Sequence, residues 1–280
     1  MTSFQRWAFG LTLPACLIAT ALYAIPVGEV LALSVTEPHV GLGNYAQLLQ
    51  SPAVAGVVMT TLNITLLTCA LTLVGSYVIA FALVQMRERR RQVAFFLVLV
   101  PFWISVLVRA FAWMTILRRH GVLNNMLEAL GIISTPLELV NNRIGVVIGM
   151  VHYMMPFAIL LLYANLSGID GRIIQAARSL GARPTTVLLR IWLPLGLPGI
   201  AVATVFVFVF SLGFLITPAL LGGGRTVMIA EYISVQITNT LRWGTATALS
   251  TALLLVVGIA VAVAMRSPAM RDAFEGKKSR

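Results

Sequence analysis

Charge is scarce in this chain. Of its 280 residues, 20 are Lys or Arg, 9 are Asp or Glu and 3 are His, so charged side chains make up 10% of a sequence that is 59% hydrophobic. A soluble globular domain carries about 25% charged residues. That shortage excludes a water-exposed surface for most of the chain, and a mean hydropathy of +0.94 assigns it to lipid. Cysteine is nearly absent: Cys16 and Cys69 lie far apart inside apolar runs. They fit neither a disulfide framework nor metal-ligand spacing, and read as buried small hydrophobes. The chain has no phosphate-binding Gly-rich loop ending in Gly-Lys-Ser/Thr, no His-Glu-x-x-His and no nucleophile elbow, so no catalytic residue, metal or cofactor of its own is expected. Internal repeats and low-complexity stretches are missing as well. A net charge of +11 would suit nucleic acid, but the cations sit in short loops between apolar runs rather than along one soluble face. No nucleic-acid partner is expected.

What the chain does have is long apolar runs. A membrane span needs about 20 such residues, and six segments qualify, at about 8–34, 55–86, 92–117, 144–166, 191–221 and 243–265. The expected fold is an all-α membrane protein of six transmembrane helices, a single transmembrane domain over 1–280 with its core at about 55–265. The second run is free of charge from Ser51 to Met86; that is longer than an upright span requires, so it tilts or begins in the interface. The first run follows a short basic start, as a cleaved signal peptide would. It is too long for one, however, and no small-x-small site ends it, so a retained helix is expected.

Six spans put both termini on one side, and the cations say which. Arg6, Arg87, Arg89, Arg90, Arg91, Arg172, Arg178, Arg183, Arg190, Arg266, Arg271, Lys277, Lys278 and Arg280 fall on the side of the termini, 14 of the 20 basic residues. Arg109, Arg118, Arg119, Arg143, Arg225 and Arg242 are the remainder. The positive-inside rule therefore gives N-in, C-in, with residues 167–190 in the cytoplasm. Residues 35–53 and 118–143 become outer loops, the second with helical apolar spacing over Val122–Leu130.

The cytoplasmic loop at about 167–194 has its own architecture. Asp170 suits an N-cap, Arg172 to Leu180 reads as a short helix, Gly181 permits a left-handed turn, and Pro184 opens a second short helix. Helix–glycine–helix makes a compact knob. Ala176 and Ala177 give it a small face, and Arg178 and Arg183 give it polar grip.

Gln175-Ala176-Ala177-Arg178-Ser179-Leu180-Gly181, followed by Ile191-Trp192-Leu193-Pro194, resembles the EAA loop of ATP-binding-cassette (ABC) importer permeases. The family's leading Glu is Gln175 here, which keeps hydrogen-bonding capacity and loses the charge. Beyond the loop, Leu107–Trp113, Gly149–His152, Met155–Phe157, Leu161–Ala164, Thr217–Gly224 and Trp243–Ser250 resemble the spermidine/putrescine permease group, over roughly residues 40–260. The resemblance implies the type I ABC importer permease fold in a bacterial inner membrane. It implies a second permease, a paralogue or a second copy of this chain, a cytoplasmic ABC ATPase dimer that binds ATP and Mg, and a periplasmic solute-binding protein. The implied function is import of a small polar solute by ATP-driven alternating access. A polyamine such as spermidine or putrescine leads, with opines, phosphonates or other organic amines as alternatives. An ion-coupled secondary carrier is the rival from another class; it would want buried acids or paired broken-helix ion sites, and neither is evident.

Pathway candidates come from polar groups inside the runs. Arg109 stands near the outer end of the third run and His152 well inside the fourth, where a structural histidine competes with a solute ligand. Pro194, Pro198 and Pro218, with Ser211, Gly213 and Thr217 between the last two, read as a kinked gate helix beside the pore. Trp103 and Trp113 read as core or interface anchors rather than a solute cage. No acid lies deep in any run.

Overall fold

A computed structural model describes residues 3–268 and Met270, with residues 3–11 in backbone course only. Arg271, Lys277, Lys278 and Arg280 of the charge argument lie outside the described residues, as does the side chain of Arg6. Every regular element described is helical. In chain order they are α1 (Ser3–Thr36), α2 (Gly43–Gln50), α3 (Pro52–Gln85), α4 (Glu88–Leu99), α5 (Val106–Leu117), α6 (Val122–Ala129) and α7 (Arg143–Ser167). There follow α8 (Gly171–Ser179), α9 (Pro184–Val187), α10 (Leu193–Leu212), α11 (Ile216–Gly222), α12 (Ile229–Thr238) and α13 (Trp243–Arg266).

Five stretches are long and apolar enough to cross a bilayer: Thr12–Thr36, Pro52–Gln85, Arg143–Ser167, Pro184–Leu212 and Trp243–Arg266. The sixth apolar run is present but is not one rod. Pro101, which has no amide hydrogen to continue a helix, sits in a 3₁₀ turn, Val100–Trp103, and Ile104 is extended. Glu88–Trp103 and Val106–Ala129 consequently meet at a bend of 99° and make one span only when taken together. The fifth run also ends early. Its helix stops at Leu212, and Pro218 belongs to a separate short helix, α11, beyond a break at Gly213.

The chain divides into two compact units. The first comprises the described residues up to Ala55 together with Ile233–Val256. Here Asn44 is buried and its Nδ2 donates to Ser34 O at 3.1 Å and Glu37 O at 2.6 Å, tying α2 to the end of α1. Along α1 the apolar side chains of Leu13, Leu17, Ile18 and Leu22 are exposed, and burial begins only near its end, at Ser34. Cys16 is accordingly exposed, against expectation, whereas Cys69 is buried. Apolar character alone does not distinguish protein-facing from lipid-facing positions.

The second unit, Gly56–Tyr232 with the described residues from Val257 on, holds three apolar clusters. One gathers Ile64, Leu117, Val146, Met150, Leu221 and Met228. A second joins Cys69, Met154, Ala158 and Val207. The third joins Ala80, Leu162, Leu166 and Ala203 to Ile174, Val187 and Trp192. Close approach is bought by small residues: a Cβ on Gly149 of α7 would stand 2.6 Å from Thr217 Cγ2 of α11. Polar ties cross the unit as well. Thr61 Oγ1 accepts from Ile229 N at 2.9 Å, and Ser76 Oγ donates to Met155 O at 3.3 Å. The outer loop helix expected at Val122–Leu130 is α6, anchored by buried Asn124, which exchanges hydrogen bonds with the backbone of Leu137 and donates to Arg118 O.

Candidate functional site

The polar loop between α7 and α10 folds as helix, glycine, helix. Asp170 caps α8, its Oδ1 accepting from Arg172 N at 2.9 Å. The far end closes in a Schellman motif. Gly181 N donates to Arg178 O at 2.9 Å and Ala182 N to Ala177 O at 3.0 Å, a closure that needs a left-handed residue after the last helical turn. Gly181 supplies it with φ +79°. Pro184 opens α9, where its missing amide hydrogen would have had no partner anyway.

A knob of this kind is stiff only if its base is cemented. Ile174, Val187 and Trp192 are buried in the same cluster as Leu162 and Leu166 of α7, Ala80 of α3 and Ala203 of α10, with Ala177, Ala182, Leu188 and Ile191 packed at its edge. Trp192 meets Phe81 edge-on at 5.3 Å. Its second stem runs without interruption into the membrane, since Pro184–Leu212 is one continuous helical stretch. Inside that stretch Leu188–Trp192 takes π-helical form. It lies just ahead of Pro194, whose ring in a tight α-helix would press on the carbonyl of Arg190; widening the turn relieves that clash. The knob and α10 are thereby joined by unbroken helix.

On the solvent side the knob shows Gln175, Ala176, Arg178, Arg183 and Pro184, all exposed, while Leu193 and Pro194 are exposed at the foot of α10. Leu180 was not among the residues singled out from sequence. It is 88% exposed at the tip of α8, an apolar side chain beside a face of alanine and arginine. Its position inside the motif was the signal available.

The pathway candidates separate into two groups. Arg109 of α5, His152 of α7 and Thr217 of α11 line one crevice with Trp113, Gly149 and Tyr153. Its free volume is about 10 Å³, about what one water molecule needs. The Arg109 guanidinium lies over the Tyr153 ring at 4.4 Å from its centroid, and its Nε is buried without a partner. Trp113 meets His152 edge-on at 5.5 Å. Tyr153 is the member that sequence reading passed over. Ser211, Gly213 and Pro218 stay outside the crevice lining. Ser211 is fully buried with its Oγ unpartnered, Gly213 is exposed at the break after α10, and Pro218 is buried in α11.

Comparison with known proteins places this geometry. Over 226 residues the chain is 33% identical to the spermidine/putrescine transport system permease protein PotB of Salmonella typhi, covering 81% of this chain and 78% of that protein. The same protein of Escherichia coli matches at 33% identity over 226 residues, with 82% of it covered. Two crystal structures share the fold at 21% identity. The first is a bacterial ABC transporter involved in import of the acidic polysaccharide alginate, with a TM-score of 0.77 over 94% of this chain and 97% of that one. The other is a bacterial alginate ABC transporter in complex with alginate pentasaccharide-bound periplasmic protein, with a TM-score of 0.80 over 95% of this chain and 96% of that one. Residues 73–271, which include the knob, the crevice and the last spanning helix, match the family described as the binding-protein-dependent transport system inner membrane component. The chain belongs to that family: it is an inner-membrane permease subunit of an ABC transporter.

Proposed function

We propose that the knob at Asp170–Pro194 is the dock for an ABC ATPase and that the solute is a small polyamine of the spermidine or putrescine type. The observation that carries the first part is the knob's mechanical continuity. Ile174 and Val187 share one buried cluster with three spanning helices, and the second stem continues as α10. A push on Ala176, Arg178 and Leu180 therefore moves a spanning helix instead of being absorbed by a loop. ATP and Mg are held by the ATPase dimer, and this chain hydrolyses nothing. Gln175 offers that partner a hydrogen bond where a carboxylate would offer an ion pair.

A second permease, either a paralogue or another copy of this chain, completes the pathway, and a periplasmic solute-binding protein delivers to it. Closure of the ATPase dimer opens the permease outward, and hydrolysis resets it. Arg109, His152 and Thr217 form the contact zone at the closed end of the pathway. Ser211, Gly213 and Pro218 belong to the break that lets α10 and α11 move apart. The polyamine reading rests on the relatives' names and on extent of similarity, 33% identity across 81% of the chain.

Co-purification from native membranes tests the dock. The wild-type chain is expected to bring down an ATPase subunit. Ala176→Glu, which alters only an exposed position, and Gly181→Val, which forces a β-branched residue into a left-handed conformation, are each expected to lose at least tenfold of it. Retention of the ATPase by both folded variants would refute the dock. Identification of the ligand on the associated binding protein tests the solute.

A further inference from the structure

A transporter of amine cations would ordinarily present carboxylates along its path. In the second unit the spanning stretches from Gly56 to Gln85, Arg143 to Ser167 and Pro184 to Leu212 contain no Asp or Glu. What they contain instead is a run of aromatic rings. Tyr153 and Phe157 lie one turn apart on α7, and Phe206 and Phe210 one turn apart on α10. Their centroids step from Tyr153 to Phe157 in 5.9 Å, on to Phe206 in 5.4 Å and to Phe210 in 4.5 Å. Successive interplanar angles are 34°, 33° and 28°, so the faces are turned much the same way. Phe102, in the 3₁₀ turn between α4 and α5, closes edge-on against Phe157 at 4.7 Å.

Two features mark this run. First, it reaches from the core to the surface of the chain: Tyr153 and Phe206 pack at the edge of the cluster of Cys69, Met154, Ala158 and Val207, whereas Phe210 is 46% exposed and Phe102 39% exposed. Second, one of its rings already carries a cation, the Arg109 guanidinium 4.4 Å from the Tyr153 centroid. The negative face of an aromatic ring attracts ammonium and guanidinium groups, more strongly once they leave water. Glu231 of α12, whose Oε2 is buried without a partner, is the acid of this unit that lies outside these stretches yet in an apolar setting. Within the stretches themselves the ring faces are what is available to a cation, as the Arg109 guanidinium on Tyr153 illustrates.

We propose that Phe157, Phe206 and Phe210 are the contact track for the ammonium groups of the solute, with Arg109 on Tyr153 as the fixed positive end beyond which the solute does not bind. This deepens the polyamine reading and rests on it. Aromatic faces rather than carboxylates suit a transporter, because a cation held by rings is released without breaking an ion pair.

The test is uptake of radiolabelled putrescine by cells carrying the full set of transporter subunits, with co-purification of the ATPase as the assembly control. Phe157→Leu, Phe206→Leu and Phe210→Leu each keep apolar bulk and remove the ring; each is expected to lower uptake about three- to fivefold with assembly intact. Phe210→Tyr is expected to retain it. Stepwise fluorination of the ring at position 210, which drains the quadrupole and hardly alters shape, is expected to lower uptake in step. Uptake unchanged in the three leucine variants, or lost together with assembly, would overturn the track, showing respectively inert packing or a packing face. A wild-type complex that assembles but imports neither putrescine nor spermidine would overturn the polyamine reading, and this proposal with it.

Discussion

Leu180 and Gly181 are neighbours with opposite relations to the sequence. Gly181 was legible, because a glycine after an arginine-bearing helical segment and ahead of Pro184 has one conformational use, the left-handed closure of a helix end. Leu180 was not, because an apolar residue in a short amphipathic helix is expected to face inward, and here Ile174 takes the buried position while Leu180 is 88% exposed. Register decides this. The Schellman closure draws Ala177 and Ala182 onto the core and turns Leu180 away from it. Under the docking proposal this exposed apolar side chain faces the ATPase. Leu180→Asp is thus expected to reduce ATPase co-purification as strongly as a change at Ala176, with the melting temperature of the chain in detergent unchanged. A lower melting temperature would show instead that Leu180 supports the knob itself. Arg109 stands out in the sequence as a cation near the outer end of the third run, but its partner does not. Nothing in residues 109 and 153 taken singly announces that a guanidinium will lie over a ring.

Helices were the most legible elements, and their interruptions the least. Apolar length gives the positions of four spanning stretches to within a few residues, and places the fifth run several residues too late, at 191–221 against Pro184–Leu212. It works at all because a bilayer favours an internally hydrogen-bonded helix. Apolar length is blind to direction, however. The third run satisfied it while turning through 99° at Pro101, and the fifth satisfied it although α10 ends at Leu212. Both breaks border the crevice elements α5 and α11. They set α5 and α11 against α7, and that contact depends on Gly149. A Cβ there would lie 2.5 Å from Leu221 Cδ1 and 2.6 Å from Thr217 Cγ2. The leucine end can swing aside, whereas the β-branched threonine has little freedom. Gly149→Val is accordingly expected to cost about 1–3 kcal/mol by overpacking, read as a lower midpoint in thermal unfolding of the purified chain. An unchanged midpoint would mean that α11 shifts freely against α7, and that the crevice is no fixed feature of the fold.

Across the whole chain, sidedness rests on charge. The four cations of residues 87–91, which the structure places at the start of α4 rather than in a loop, share a side with the four between Arg172 and Arg190, and the outer loops hold few. Orientation follows because cytoplasmic loops retain Lys and Arg. The knob can meet an ATPase only if this bias reads correctly. Single cysteines give a direct answer once Cys16 and Cys69 have been replaced by alanine. Ser179 on α8 and Asn125 on α6 are both exposed and both outside the long apolar helices. Ser179→Cys is expected to react with a membrane-impermeant maleimide in inside-out vesicles and not in intact spheroplasts; Asn125→Cys is expected to do the reverse. The reversed pattern would put the knob outside, where no ATPase could reach it, and would leave the continuity between knob and α10 without a motor to drive it. Labelling of both from one side would mean that α7, the spanning helix between the two positions, does not cross the bilayer.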